Sequence, residues 1–300
     1  MPRPQTLTRR TMLASLGALA LDQILSPAHL RADQSPDWTT PLPPFHIAGS
    51  LFYVGSRDLA SYLVPTPKGH ILINSNLITS PAQIRSSVEK LGHRWQDIKI
   101  LLISHAHYDH CAGSAQIKRE TGAKYMVMDA DLPVVESGGK SEFRYGNQPE
   151  MLYPPAKVDH TLHNGEQVRL AGAILTAHKT AGHTKGCTTW TMQLSEAGKI
   201  YNAVIVGSPN VNPGYNLIND PKYPQMAADY KQQFRTLKSL PCDIFLGAHG
   251  VYFDLLAKLA RKQAGDLNAF IDPAGYQAYI ADRQQAFETE LARQQKAHTG

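Results

Sequence analysis

Cysteine, sustained apolar runs and blocks of like charge are all scarce in this chain, and each scarcity removes a class of protein. Only Cys111, Cys187 and Cys242 occur among 300 residues, and no pair has C-x-x-C spacing. An odd number leaves at least one thiol without an internal partner, and a structural zinc site built on cysteine is excluded. Cys111 and Cys187 therefore read as small packing residues. No stretch reaches the roughly 18 apolar residues that would span a bilayer. The net charge is a modest +5, with no basic run interleaved with aromatics, so a nucleic-acid partner gains no support. A G-x-S-x-G nucleophile elbow is also missing, which removes the commonest signature of a serine hydrolase.

What remains has the apolar and charged fractions of a folded enzyme, 42% and 18%, preceded by a distinct leader. Arg9-Arg10 stands before the apolar stretch Met12 to Leu25, and Ser26-Pro27-Ala28 offers a small-residue cleavage site. Residues 1–32 read as an export signal and leader of twin-arginine type. The expectation is a periplasmic protein without a stable membrane anchor once the signal is removed. Residues 1–28 carry a net +2, so their loss would leave about +3.

Residues 34–300 read as one catalytic domain. Strands are expected at Phe45 to Val54, Ala60 to Val64, His70 to Asn74, Ile98 to Ile103 and Ala123 to Met128. Helices are expected at Pro81 to Leu91, where Pro follows Ser80, and at Ala112 to Thr121. A second strand-rich half runs from Lys157 to Val206, with Ile244 to Leu246 as a further short strand. Helical patterns return at Tyr223 to Leu240, Val251 to Arg261 and Ala274 to Gln295. Two facing mixed sheets with helices outside, a four-layer αβ/βα sandwich of the α+β class, fit that order. Gly138 to Pro155 has no periodicity but carries Phe143, Tyr145 and Tyr153. A loop of that length in a compact domain is usually functional, and it is expected to overhang the site.

The chemistry is concentrated in Ser104 to His110, S-H-A-H-Y-D-H, directly after the apolar run Ile98 to Ile103. Four metal-capable side chains, His105, His107, Asp109 and His110, fall within six residues. Imidazole and carboxylate together suit zinc better than calcium or magnesium. On an extended backbone His105 and His107 project to one side, whereas Asp109 and His110 come after the strand gives way. One short segment can thus serve two metals. Two later histidines sit at strand-to-loop transitions: His183 in T-A-G-H-T-K-G-C-T-T-W and His249 in L-G-A-H-G-V. Alone, each is more often a hydrogen-bonded structural histidine; beside a four-donor cluster they can complete two coordination shells. His178 and Trp190 read as packing residues.

H-A-H-Y-D-H, the G-H-T-x-G-x-T-T-W loop and the late A-H-G resemble the metallo-β-lactamase superfamily, and within it the third subclass of class B enzymes. The resemblance runs from about Phe45 through the last helix. It implies the superfamily's sandwich fold and two Zn(2+) per chain, one held by His105, His107 and His183, the other by Asp109, His110 and His249. It also implies that Asp109 orients a dizinc-bound hydroxide, and that Ser208 and Asn210 help hold the substrate carboxylate. Other subgroups carry a bridging aspartate or a cysteine where this chain has Ser208. The implied activity is hydrolysis of the β-lactam amide in penicillins, cephalosporins and carbapenems by a monomer, which would confer antibiotic resistance. The alternative is a superfamily hydrolase of another lactone, thioester or amide, with incidental β-lactamase activity. Cys242 matches a cysteine that is disulfide-bonded in some relatives, but the partner position here is Tyr276.

Overall fold

The computed structural model describes residues 35–299, so the export signal expected at 1–32 lies outside the described residues. Residues 37–300 cluster as one compact unit. Seven strands form the first sheet in chain order: β1 (Phe45–Ala48), β2 (Leu51–Tyr53), β3 (Tyr62–Thr66), β4 (Gly69–Ile73), β5 (Ile98–Leu102), β6 (Lys124–Met128) and β7 (His160–Leu162). The second sheet is ordered β12-β11-β10-β9-β8, from β8 (Gln167–Leu170), β9 (Ala173–Lys179), β10 (Thr188–Glu196), β11 (Lys199–Val206) and β12 (Ile244–Gly247). Both sheets are mixed. β4 to β7 run parallel, as do β11 and β12, and the remaining pairs are antiparallel.

The α+β sandwich follows from strands that are apolar on both faces. On β5, Ile100 and Leu102 enter the core between the sheets with Ile71, Leu175, Trp190 and Val204. Ile98 and Leu101 face the other way, toward Ile84 and Val88 of α1 (Ser80–Lys90) and Ile117 of α3 (Ser114–Thr121). The second sheet is backed by α5 (Met226–Ser239) and α7 (Pro273–Thr299), whose Tyr230 and Phe287 rings stack with centroids 5.1 Å apart. Trp190 is buried in the inter-sheet core, as expected, and its indole N–H donates to the Ile103 carbonyl at 3.1 Å. Among the described residues no helix is long and apolar enough to cross a membrane.

Three boundaries differ from the sequence expectation. The stretch Phe45 to Val54 is a hairpin, because Gly49 takes a left-handed φ of +54° and turns the chain. The helix expected from Val251 is broken: Asp254 adopts φ +53°, so a short 3-10 turn ends there and α6 (Leu255–Gln263) starts afresh. Before α3 a separate single turn, α2 (Tyr108–Cys111), follows the histidine segment, and a short helix, α4 (Leu132–Glu136), follows β6. All three cysteines are free, Cys111 and Cys187 buried and Cys242 partly so.

Candidate metal centre

The site forms where the two sheets end together. At the end of β5 the Ser104 amide donates to Asn74 Oδ1 at 2.7 Å, and the Ser104 carbonyl accepts from Thr188 N of the other sheet at 2.7 Å. Asn74 itself holds a left-handed φ of +66°, a conformation asparagine tolerates better than most residues. The turn it starts returns Ser75 N and Asn76 N to the His110 carbonyl, at 3.1 and 3.2 Å. His107 is still extended (φ −86°, ψ 151°) and caps α2. The switch from extended chain to helix sends Asp109 and His110 in a different direction from His105 and His107.

His183 and His249 arrive on loops of close backbone approach. Gly182, at φ +145°, lies against Tyr230, where a Cβ would come 2.8 Å from the ring. His249 follows β12 and bridges to Leu59. Asp131 ties the early loop to the His183 loop: its carboxylate accepts from Ala106 N (2.9 Å), Thr184 Oγ1 (2.8 Å) and Gly186 N (2.8 Å).

Two overlapping donor groups result. One ligand atom from each of His105, His107 and His183 lies within 4.8 Å of the others, and the same holds for His105, Asp109 and His110. His249 joins the second group, with Nε2 3.1 Å from His110 Nε2 and 3.4 Å from Asp109 Oδ2. Within the first, His107 Nδ1 is 3.1 Å from His183 Nε2.

Whether these side chains fit a metal is decided by their unmet hydrogen-bonding capacity. His105 is only 1% exposed, yet neither ring nitrogen has a hydrogen-bond partner, and His107 Nε2 and His110 Nδ1 also lack one. Buried polar atoms are normally paired. Burial and the neighbouring imidazoles hold His105 and His183 well below the usual histidine range, so their rings are neutral and offer lone pairs. Burial would raise the Asp109 carboxyl, but His110 and His249 bring it well below the usual range. Five imidazoles and one carboxylate, closely gathered, with several ring nitrogens unsatisfied, match a zinc centre.

Groups behind the histidines aim them. His183 Nδ1 donates to the Asn210 carbonyl at 2.8 Å, and His249 Nδ1 to Asp58 Oδ2 at 2.9 Å. Each bond fixes the tautomer that turns Nε2 toward the site. Burial pulls the His249 pKa down, but the Asp109 and Asp58 carboxylates reverse this and carry it to about 9. The Gly138 to Pro155 loop covers His107: the Tyr145 ring lies 5.3 Å from its imidazole, and Glu142 Oε1 stands 3.7 Å from Nε2.

Every histidine singled out as a metal donor therefore comes to one place, with Asp109. His178 does not; it sits on β9 and bonds Thr191 Oγ1 at 2.9 Å. Ser208 and Asn210 follow β11 at the edge of the site, but Ser208 is fully buried. Its hydroxyl is 3.2 Å from Tyr252 Oη, which also accepts from Asn210 Nδ2 at 2.9 Å. Sequence reasoning passed over Asp58, Asp131, Glu142 and Tyr252. Tyr252, three residues after His249, had a signal in its position; isolated acids elsewhere had none.

Comparison with known proteins agrees with this geometry. Residues 57–195 match the metallo-β-lactamase superfamily model. The native metallo-β-lactamase FEZ-1 from Legionella gormanii shares 54% identity with a TM-score of 0.85, covering 85% of this chain and 98% of that one. The class B3 di-zinc metallo-β-lactamase LRA-12 from an Alaskan soil metagenome shares 32% identity with a TM-score of 0.82, covering 85% and 97%. A UPF0173 metal-dependent hydrolase of Thermodesulfovibrio yellowstonii is 34% identical over 98 residues, 31% of this chain, and the match spans about a third (32%) of that relative. The chain belongs to the metallo-β-lactamase superfamily, standing with its subclass B3 members, and is a hydrolase.

Proposed function

We propose that this protein hydrolyses the amide bond of β-lactams with two zinc ions, one held by His105, His107 and His183 and the other by Asp109, His110 and His249. The observation that carries the reading is the residue at the end of β11. At the edge of the site the chain leaving β11 runs Val206-Gly207-Ser208, with a serine where other subgroups of the superfamily carry a bridging aspartate or a cysteine. Bound at such a site, zinc lowers the pKa of a coordinated water toward neutrality and polarises a carbonyl oxygen. Asp109 contributes the one carboxylate of the second group. Its role is to orient the attacking water toward the lactam carbonyl carbon. The amide C–N bond breaks with the water's oxygen on the carbonyl carbon and a proton from the same water on the nitrogen, without an acyl-enzyme. Tyr145, above His107, narrows the cleft and limits stray water. The Ser208–Asn210 turn forms the polar corner that receives the substrate carboxylate.

In this reading residues 1–32 are removed on export, and 34–300 act as a monomeric catalytic domain in the periplasm, where destruction of a β-lactam antibiotic would confer resistance. A second reading, hydrolysis of another lactone, thioester or amide, is favoured by the partial match to a metal-dependent hydrolase of a different group. The two separate when zinc-loaded protein is assayed with a penicillin, a cephalosporin, a carbapenem, a homoserine lactone and a glutathione thioester. Fast β-lactam turnover is expected. Turnover far slower than that of the lactone or thioester would overturn the β-lactamase assignment, and hydrolysis that survives chelation would overturn the metal mechanism.

A further inference from the structure

The polar corner after β11 has a property that its residue types do not announce: its serine cannot be reached. Ser208 is fully buried, whereas Tyr252 and Asn210 remain partly exposed. Tyr252 lies over the serine, and its ring is held between His249, with centroids 5.0 Å apart, and Tyr279, stacked at 5.2 Å. We propose that the Tyr252 hydroxyl is the group that binds the substrate carboxylate, with Ser208 and Asn210 acting through it. The inference rests on the β-lactam reading above.

The donor arithmetic supports it. Arg283 Nη1 is 3.4 Å from Asn210 Oδ1 and can only donate, which fixes which end of the Asn210 amide is oxygen. The Asn210 NH2 therefore faces Tyr252 Oη and donates to it. Ser208 Oγ accepts from the Asn210 amide N–H at 3.4 Å and shares a single hydrogen bond with Tyr252 Oη at 3.2 Å, in which either hydroxyl can donate. With Ser208 donating, the phenol oxygen accepts twice and its O–H is free for an incoming anion, beside the second N–H of the Asn210 amide. Among the described residues none of Ser208, Asn210 and Tyr252 hydrogen-bonds an acidic side chain. An anion beside His249 thus meets a donor already polarised by two others. The stacked ring loses little freedom on binding.

The test compares zinc-loaded wild type with Tyr252→Phe, using a penicillin and its methyl ester. Loss of one bond to a charged group corresponds to a KM about tenfold or more higher for the free acid. The expected result is that rise with kcat and zinc content unchanged, while the ester, lacking the charge, responds equally to both proteins. An unchanged KM for the acid would overturn the proposal. So would an equal loss on the ester, which would reduce Tyr252 to packing, or a fall in zinc content, which would make it a support of the metal site. Wild type that hydrolyses neither acid nor ester would instead bring down the β-lactamase reading, and this inference with it.

Discussion

Asp58 controls the second donor group without belonging to it. Its Oδ2 accepts from His249 Nδ1 and also, at 2.9 Å, from the Trp38 indole N–H, while Oδ1 accepts from Val251 N at 2.9 Å. An outer partner of this kind commonly contributes 10- to 100-fold in metal affinity. Asp58→Asn keeps the shape and loses the charge, so competition with a chelator should show zinc held about tenfold more weakly. The zinc-free proteins add a pH signature. His249 is raised to about 9 in the folded state, so its ion pair stabilises fully below the ordinary histidine value and is lost as pH rises through about 9. The melting-temperature gap between wild type and Asp58→Asn should narrow over that rise. A constant gap would show that packing, not charge, is what the substitution removes. Ser208→Ala should behave differently: KM for a β-lactam rises severalfold while measured zinc content stays at the wild-type value, because Ser208 bonds Tyr252 and no donor of the metal groups. Asp58 was illegible in the sequence because it meets His249 across 191 positions with no motif around it. The six donors were legible because four of them fall in one heptapeptide, Ser104 to His110.

At the scale of elements, the site depends on loops from two sheets being clamped together, and Asp131 is the clamp. It is 1% exposed and receives three donors, one from the His105–His107 loop and two from the His183 loop. Burial pushes its carboxyl up despite those bonds, so the desolvation it bears is large. Asp131→Ala would leave Ala106 N, Thr184 Oγ1 and Gly186 N without their acceptor. Gly186 packs against Asp131 so tightly that an added Cβ would lie 2.5 Å from its backbone nitrogen, which leaves little room for water to replace the carboxylate. Stranding buried donors costs about 1–3 kcal/mol, and at about 2–4 °C per kcal/mol for a domain of this size the melting temperature should fall by several degrees. Zinc binding should weaken in the same variant. A calorimetric scan that showed no loss would mean the loops are held by something else. The long strands and α7 were readable from apolar patterning, since burial on both faces leaves a continuous signature. The breaks at Gly49 and Asp254 were not, because each is a single residue taking a left-handed φ inside an otherwise regular stretch.

For the molecule as a whole, metal binding should be coupled to the fold, because the two sheets end on the same set of donors. β5 delivers His105 and His107, the β9–β10 connection delivers His183, and the end of β12 delivers His249. A cation held at their centre would join the first sheet to the second, where the protein alone offers imidazole nitrogens 3.1 Å apart and ring nitrogens with no partner. Zinc bound to the folded chain but only weakly to the unfolded one stabilises by mass action, by about 2.7 kcal/mol per site at a hundredfold excess over its Kd. At the same scaling of about 2–4 °C per kcal/mol, one filled site raises the melting temperature by several degrees and two raise it further. Titrating zinc into chelator-stripped protein and following the melt should therefore give a concentration-dependent rise, and His107→Ala should shorten it by removing a donor of one group only. His178→Ala, on the outer face of β9, should leave the zinc-dependent rise unchanged. If the wild-type melting temperature did not respond to zinc, the unpaired nitrogens would need another partner, and the joining of the two sheets through metal would fail.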